Sequence, residues 1–339
     1  MKKLLSLVFV CVLVLTGCGK SAAAYEFDGA CDGDDAKIGL VTDTGGVHDK
    51  SFNQGTWEGM EKYCHDNDIA GSFIETTEES QREANLTKMS ETDGIEVVVA
   101  SGFTFANDLY NVAKDHPDVD YILIDAEPAD ADGNAMKLDN VISYYFQEEQ
   151  AGYLVGYVAG KVTESNRVGF IGGEEIPPVQ KFGWGFVQGV NAANPSATVD
   201  YNYTGQFGDP ALGKTTAQTM IANGSDVIFA SAGGTGDGVI TAGIESTKTD
   251  NPCWIIGVDS DQYDDGAYKD ADGKDASIIL TSAMKLVNNA AYEGITRHFA
   301  GEFKSDVVTL GFDDDGVGLP EENPNLDDEI KQEALDALA

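Results

Sequence analysis

Short runs of almost unbroken apolar residues recur along this chain, from Ile38-Gly39-Leu40-Val41 through VVVAS at 97, YILI at 121, VGFIG at 168, VIFAS at 227, WIIGV at 254 and IILT at 278. A strand with one wet face alternates apolar and polar residues; these runs do not, so each must be covered on both sides. Between them lie stretches with helical spacing, at 80–90, 147–162, 209–222 and 287–299. Strand and helix in alternation give a parallel sheet sheathed by helices, the doubly wound α/β class. With 339 residues, 42% of them hydrophobic, the chain is long enough for two such units, each with its own core.

A coarser repetition divides it. Each half opens on an IG or VGFI strand, followed by a loop and an aromatic-rich helix, SFNQGTWEGM in one and VQKFGWGFVQGV in the other. Two similar lobes set their loops on facing edges, at the carboxyl ends of the strands where open α/β sheets bind ligands. The expected product is a cleft.

The residues following each strand are therefore the candidates for chemistry. They are Asp43, Phe52 and Asn53 after the first strand, Gly102 and Phe103 in SGFTF, Asp125 in LIDAEP, Phe207 in GQFGDP, Gly233 and Gly234 in SAGGTG, Asp259 and Asp261 in GVDSDQ, and Lys285 in TSAMK. A carboxylate set at the end of an apolar strand is costly to desolvate unless something donates to it, and a neutral ligand with hydroxyl or ring N–H groups is such a donor. Flat aromatics from two lobes can hold a planar ring between them. Each residue also has a plainer role: the aspartates as caps or loop solvators, the phenylalanines as core plugs, the lysine as a surface charge. Ser51 or Asn53 is expected to cap the first helix. The glycines at 233 and 234 permit close backbone approach, and no GKS or GKT follows them to make a phosphate loop.

Composition removes other classes. The formal charge of −37 makes nucleic acid and an anionic membrane surface poor partners. No CxxC, HExxH or paired Cys/His spacing occurs and the four histidines are scattered, so no metal or other cofactor is expected. The segment MKKLLSLVFVCVLVLTGC has Lys2 and Lys3 ahead of an apolar run at 4–15, too short to span a bilayer and flanked like a secretory signal. Its LTGC end resembles a bacterial lipobox, which implies removal of 1–17 and lipidation of Cys18. Residues 18–35 then form a tether. Cys31, Cys64 and Cys253 remain, an odd number that supports no disulfide framework. The acidic segment from Asp313 onward reads as a surface appendage.

Taken together and in order, LTGC, VTDTGGVHDKSFNQGTWEGM, SGFTF, GGEEIPPVQKFGWGFVQGV, GQFGDP, AGGTGDG and IGVDSDQ resemble the basic membrane protein family of substrate-binding lipoproteins, whose best-understood members are purine nucleoside receptors. The resemblance implies the type I periplasmic-binding-protein fold, two Rossmann-like lobes joined by three crossovers. The lobes it implies are 36–143 with 282–301, and 144–281 with 302–339. It also implies a lipid-anchored, extracytoplasmic receptor that hands a purine nucleoside to an ABC transporter permease. By the same resemblance, Phe52 and Phe207 stack on the two faces of the base, and Asp43, Asn53 and Asp125 bond its polar edge or nearby ribose groups. Asp259 accepts ribose hydroxyls beside Lys285, and Gly234 adds a backbone contact. No bond is broken in such a device, since ligand contacts to both lobes simply favour the closed state.

Two rivals stand beside this reading. A nucleoside hydrolase needs a cluster of aspartates for calcium, and VTDTGGVHDKS has one before its glycines and no adjacent pair. A receptor of the same fold for a sugar would also stack rings on aromatics. The neutral ligand fits the acidic cleft, whereas a nucleotide's phosphates would meet Asp43, Asp125 and Asp259 without an arginine clamp.

Overall fold

The computed structural model describes residues 35–339; the signal segment 1–17, Cys18 and the tether up to residue 34 lie outside the described residues. The chain passes through β1 (Ile38–Val41), α1 (Phe52–Asn67), β2 (Gly71–Ile74), α2 (Arg82–Ser90), β3 (Val97–Ser101), α3 (Ala106–Ala113), β4 (Asp120–Ile124) and β5 (Val141–Phe146). These strands pair in parallel in the order β2-β1-β3-β4-β5. Strands β1 and β3 are buried from end to end, which is why their sequences do not alternate. Helix α1 turns Trp57, Met60, Tyr63 and Cys64 inward at the spacing of one helical face.

Helix α4 (Glu148–Val162) then leads to a second unit of the same plan. It contains β6 (Arg167–Gly172), α5 (Pro177–Ala193), β7 (Thr198–Tyr203), α6 (Pro210–Ala222), β8 (Val227–Ser231), α7 (Gly234–Ser246) and β9 (Trp254–Asp259). A small hairpin of β10 (Ala267–Lys269) and β11 (Asp275–Ser277) precedes β12 (Ile279–Lys285). The order β7-β6-β8-β9-β12 repeats that of the first sheet. After α8 (Val287–Phe299), β13 (Asp306–Leu310) joins the first sheet beside β5, and β14 (Val317–Gly318) pairs antiparallel with β12. The chain thus passes between the sheets three times.

Strand pairing draws the lobes differently from the expected boundaries. β5 lies whole in the first sheet instead of being cut at 143, and β12 lies whole in the second instead of ending at 281. Residues 306–310 belong to the first sheet, because β13 satisfies the open edge of β5. Helix α8 does join the first lobe, crossing α1 so closely that a Cβ on Gly59 would lie 2.1 Å from the Asn288 carbonyl oxygen. Helix α4 belongs to the second, where a Cβ on Gly156 would meet the Phe186 carbonyl of α5 at 2.2 Å.

The acidic C-terminal segment is not an appendage. Val317, Leu326 and Ala334 are buried in the main core, and the Asn325 amide donates to the Ser277 and Ile279 carbonyls at 2.9 and 2.7 Å. Its helix α9 (Asp328–Leu338) packs on α4, with Lys161 paired to Glu333. Acidic residues face water there while the sparse apolar ones are enough to dock it. An odd cysteine count does not prevent a single bridge: Cys64 is disulfide-bonded, whereas Cys253 is a free buried thiol, so the two do not meet.

Candidate ligand-binding site

The carboxyl ends of the two sheets face each other across a cleft with a cavity volume of about 60 Å³. Of the residues expected there, Asp43, Phe52, Phe103, Asp125, Phe207, Asp259 and Lys285 line it. Asn53 and Gly234 do not.

Why Asn53 stands back follows from how the loop after β1 is built. Asp49 accepts the backbone N–H groups of Ser51, Asn53 and Gln54, each at 3.0 Å, and the Asn53 amide at 2.9 Å. It is therefore Asp49, not Ser51 or Asn53, that satisfies the open N–H groups at the start of α1. Asn53 is buried and also donates to Asp43 Oδ1 at 2.7 Å, while its own Oδ1 accepts the Asp43 N–H at 3.2 Å. Its amide is spent orienting carboxylates. Asp43 Oδ1 takes the Gly45 N–H as well, at 2.8 Å, which leaves Oδ2 without a partner among the described residues. A Cβ on Gly102 would lie 3.4 Å from that oxygen and 3.8 Å from the Phe52 ring, so the free acceptor and the ring edge share one wall.

Phe207 comes from the loop after β7. Its carbonyl accepts the Thr235 N–H at 2.7 Å, fastening the loop to the start of α7, and its ring lies over Gly173, where a Cβ would come within 2.3 Å of it. The chain turns into α7 at Gly233 with φ +53, so the cleft is lined by Gly233 and the expected Gly234 falls one residue beyond.

At the far end, Asp125 directly follows β4 and Asp259 ends β9, the matching strands of the two lobes, with left-handed backbones at φ +69 and +64. Aspartate tolerates that conformation, at a cost that marks functional positions. Between them sits Lys285, buried, with its ammonium 2.5 Å from Asp125 Oδ2 and 2.9 Å from Glu148 Oε1, and 5.0 Å from the ring centres of both Phe52 and Phe146. Lys285 is therefore committed to an ion triad linking the lobes, not held free as a donor. Asp125 Oδ1 is buried and has no hydrogen-bond partner among the described residues, while Asp259 Oδ2 accepts the Ser51 hydroxyl from the other lobe at 2.5 Å.

Burial raises these acids against their partners. It pushes Asp43 up to about 7, with Asn53 and Gly45 only partly offsetting it, and Asp259 to about 7 against the pull of Lys285 and Ser51. Asp125 reaches about 6, burial again outweighing Lys285. For Lys285, burial works to lower the ammonium's pKa, but the charges of Asp125, Glu148 and Asp259 overcome it and hold it above the ordinary lysine range. Asp43 and Asp259 bind protons in the fold near neutrality that the unfolded chain has lost. Their stabilisation is complete below about pH 4 and disappears as the pH rises through about 7. His298, raised by its bond to Asp120, acts with the same sign. The melting temperature is expected to rise as pH falls from about 8 to about 5.5, and Asp43→Asn to remove part of that rise. An undiminished rise in the variant would show that Asp43 titrates normally.

The cleft-lining Asp49, Arg82 and Glu174, and Glu148 behind them on Lys285, escaped the reading of the sequence. Asp49 looked like one more loop aspartate. Glu148 follows the apolar run VISYYF by one residue, the same signal that marked Asp125. Arg82 lines the cleft from α2, contrary to the expected lack of an arginine, yet its Nε is held by Asp108 at 2.8 Å and Glu79 lies 3.9 Å away. Nothing in an ordinary surface helix announces it. Among the described residues no cluster of His, Cys, Asp or Glu is arranged to hold a metal ion.

The comparisons with known proteins agree with this architecture. The Bmp family model, described as ABC transporter substrate-binding protein PnrA-like, matches residues 36–338. A CD4+ T-cell-stimulating antigen of Listeria monocytogenes is 34% identical, the match covering 96% of this chain and 91% of the relative. The ABC transporter nucleoside-binding protein BmpA of Lactococcus lactis is 33% identical, over 92% of this chain and 88% of its own. Among solved structures, a solute-binding protein of an ABC transporter system from Aeropyrum pernix superposes with a TM-score of 0.73 at 30% identity, covering 84% of this chain and 76% of that one. The fold is that of the type I periplasmic binding proteins. With two lobes around an acidic, aromatic cleft and a family match over nearly every described residue, this chain belongs to the Bmp family of ABC-transporter substrate-binding proteins, which are solute receptors and not enzymes.

Proposed function

We propose that the cleft captures a purine nucleoside and that the protein, anchored outside the membrane through lipid on Cys18, delivers it to an ABC permease. The observation that carries the reading is the pairing of aromatic walls with unspent acceptors: Phe52 and Phe207 come from opposite lobes, and Asp43 Oδ2 and Asp125 Oδ1 have no donor among the described residues. Phe52 and Phe207 stack on the base, and Phe103 adds apolar wall beside them. Asp43 accepts from the base edge. Asp259 and Asp125 take ribose hydroxyls, with Lys285 fixing the charge behind them. Asn53 acts through Asp43, and the backbone contact assigned to Gly234 passes to Gly233. A carboxylate-lined site needs a ligand that donates and carries no negative charge, which favours nucleosides over nucleotides. The name of the Lactococcus lactis relative supports the same class.

Calorimetry with inosine, guanosine and adenosine, their free bases, their 5′-monophosphates and a panel of sugars tests this directly. The nucleosides are expected to bind and the monophosphates to bind far more weakly. Failure of all three nucleosides, with binding of a sugar, would replace the reading. In Asp259→Ala the loss is expected to be roughly 10- to 100-fold for a nucleoside, the worth of hydrogen bonds to a charged group, and much smaller for the free base. Equal losses for both would remove Asp259 from the ribose end.

A further inference from the structure

We propose that Lys50 is a clasp between the lobes, a positioning residue that holds the cleft shut and sets how fast a captured ligand leaves. This rests on the cleft being a site that closes on its ligand. Lys50 lies in the loop between β1 and α1, outside the cleft lining, yet almost everything it offers is taken by the other lobe. Its ammonium is 3.3 Å from Asp265 and 3.7 Å from Asp237. Its carbonyl accepts the Ser260 hydroxyl at 2.8 Å and the Gln262 amide at 3.2 Å.

The anchor on the far side is rigid. Gln262 is buried, its Oε1 accepts the Val258 N–H at 3.0 Å, and its backbone N–H donates to Ser282 at 3.1 Å. The near side is equally constrained, since Lys50 has a left-handed backbone at φ +54, which a long side chain adopts only when its surroundings impose it. Its neighbours transmit the hold. Asp49 caps α1, whose first residue is the cleft aromatic Phe52, and Ser51 donates to Asp259 across the lobe boundary.

The charge around this seam gives the clasp its importance. Glu58 of the first lobe shares the groove with Asp261, Asp264 and Asp265 of the second, and Lys50 and Lys285 are the cations among its lining residues. Lys285 is buried behind, so in the exposed part of the seam Lys50 alone turns like-charge repulsion into attraction. Salt should reveal which of the two operates, because screening weakens whichever dominates between exposed groups.

The test is guanosine release by stopped flow from the wild type, Lys50→Met and Lys50→Arg, from about 20 to about 500 mM NaCl. Lys50→Met is expected to release guanosine about five-fold faster at low salt, the scale of a part-exposed ion pair. Wild-type release is expected to accelerate with salt, that of Lys50→Met to slow or stay flat, and Lys50→Arg to follow the wild type. Equal rates and equal salt slopes in wild type and Lys50→Met would overturn the clasp. A second measurement needs no ligand: the radius of gyration from solution scattering should grow with salt in the wild type and be already large in Lys50→Met. Should inosine, guanosine and adenosine all fail to bind the wild type, the nucleoside reading falls and scattering alone decides, with identical curves for the two proteins overturning the clasp.

Discussion

Lys285→Met is expected to lower stability by about 3–5 kcal/mol at pH 7.5, the cost of leaving a buried charge without its partner. The ammonium is the link between Asp125 of the first lobe and Glu148 of the second, and among the described residues the other cation at hydrogen-bond distance from either carboxylate is Lys181, 3.1 Å from Glu148. Methionine keeps a side chain of similar length where the ammonium stood 5.0 Å from the Phe52 and Phe146 ring centres, so the loss reads the charge, its contacts with those rings included, more than the packing. The deficit should shrink toward pH 5.5, because Asp125, already raised to about 6, then takes a proton instead of standing charged. Urea midpoints at both pH values, with Lys285→Met/Asp125→Asn as a partial rescue, decide it. A variant as stable as the wild type at pH 7.5 would mean that the triad does not hold the lobes together.

The second large effect concerns the ligand. Phe52→Ala and Phe207→Ala are each expected to weaken purine nucleoside binding by roughly 10- to 100-fold, the worth of one base–aromatic stack. Both rings are only half-buried and stand on the cleft wall, so the fold should survive their removal. Phe52→Ala also strips one ring from Lys285, and a melting curve run beside the calorimetry separates that loss from lost stacking. Unchanged affinity in either variant would take that residue out of the site.

The strands legible in the sequence are those covered on both faces, since complete burial leaves β1 wholly apolar and β3 and β8 with no polar residue but a terminal serine. The edge strands β2, β7 and β13 were not legible, because half-exposed strands carry ordinary polar residues. β5 is buried but reads VISYYF, and its serine and tyrosines break the run. The lobe boundaries failed for a related reason: where the last strands pair is decided by open edges on sheets already formed, not by their own composition.

Sequence alone determined which residues stand at strand ends, because a strand's burial is written in its own few residues and the next polar residue must emerge at its end. That suffices to bring Asp43, Phe52, Asp125 and Asp259 to one cleft, whereas Phe207 follows β7, a strand its own residues do not announce. Only the tertiary structure decided what each group is bonded to. Lys285 meets Asp125 from 160 residues away and Ser51 meets Asp259 from 208, and no local pattern records a pairing that exists only once two lobes have folded and met. The same distance explains Asn53, whose amide was free to serve a ligand until the fold set two carboxylates within its reach.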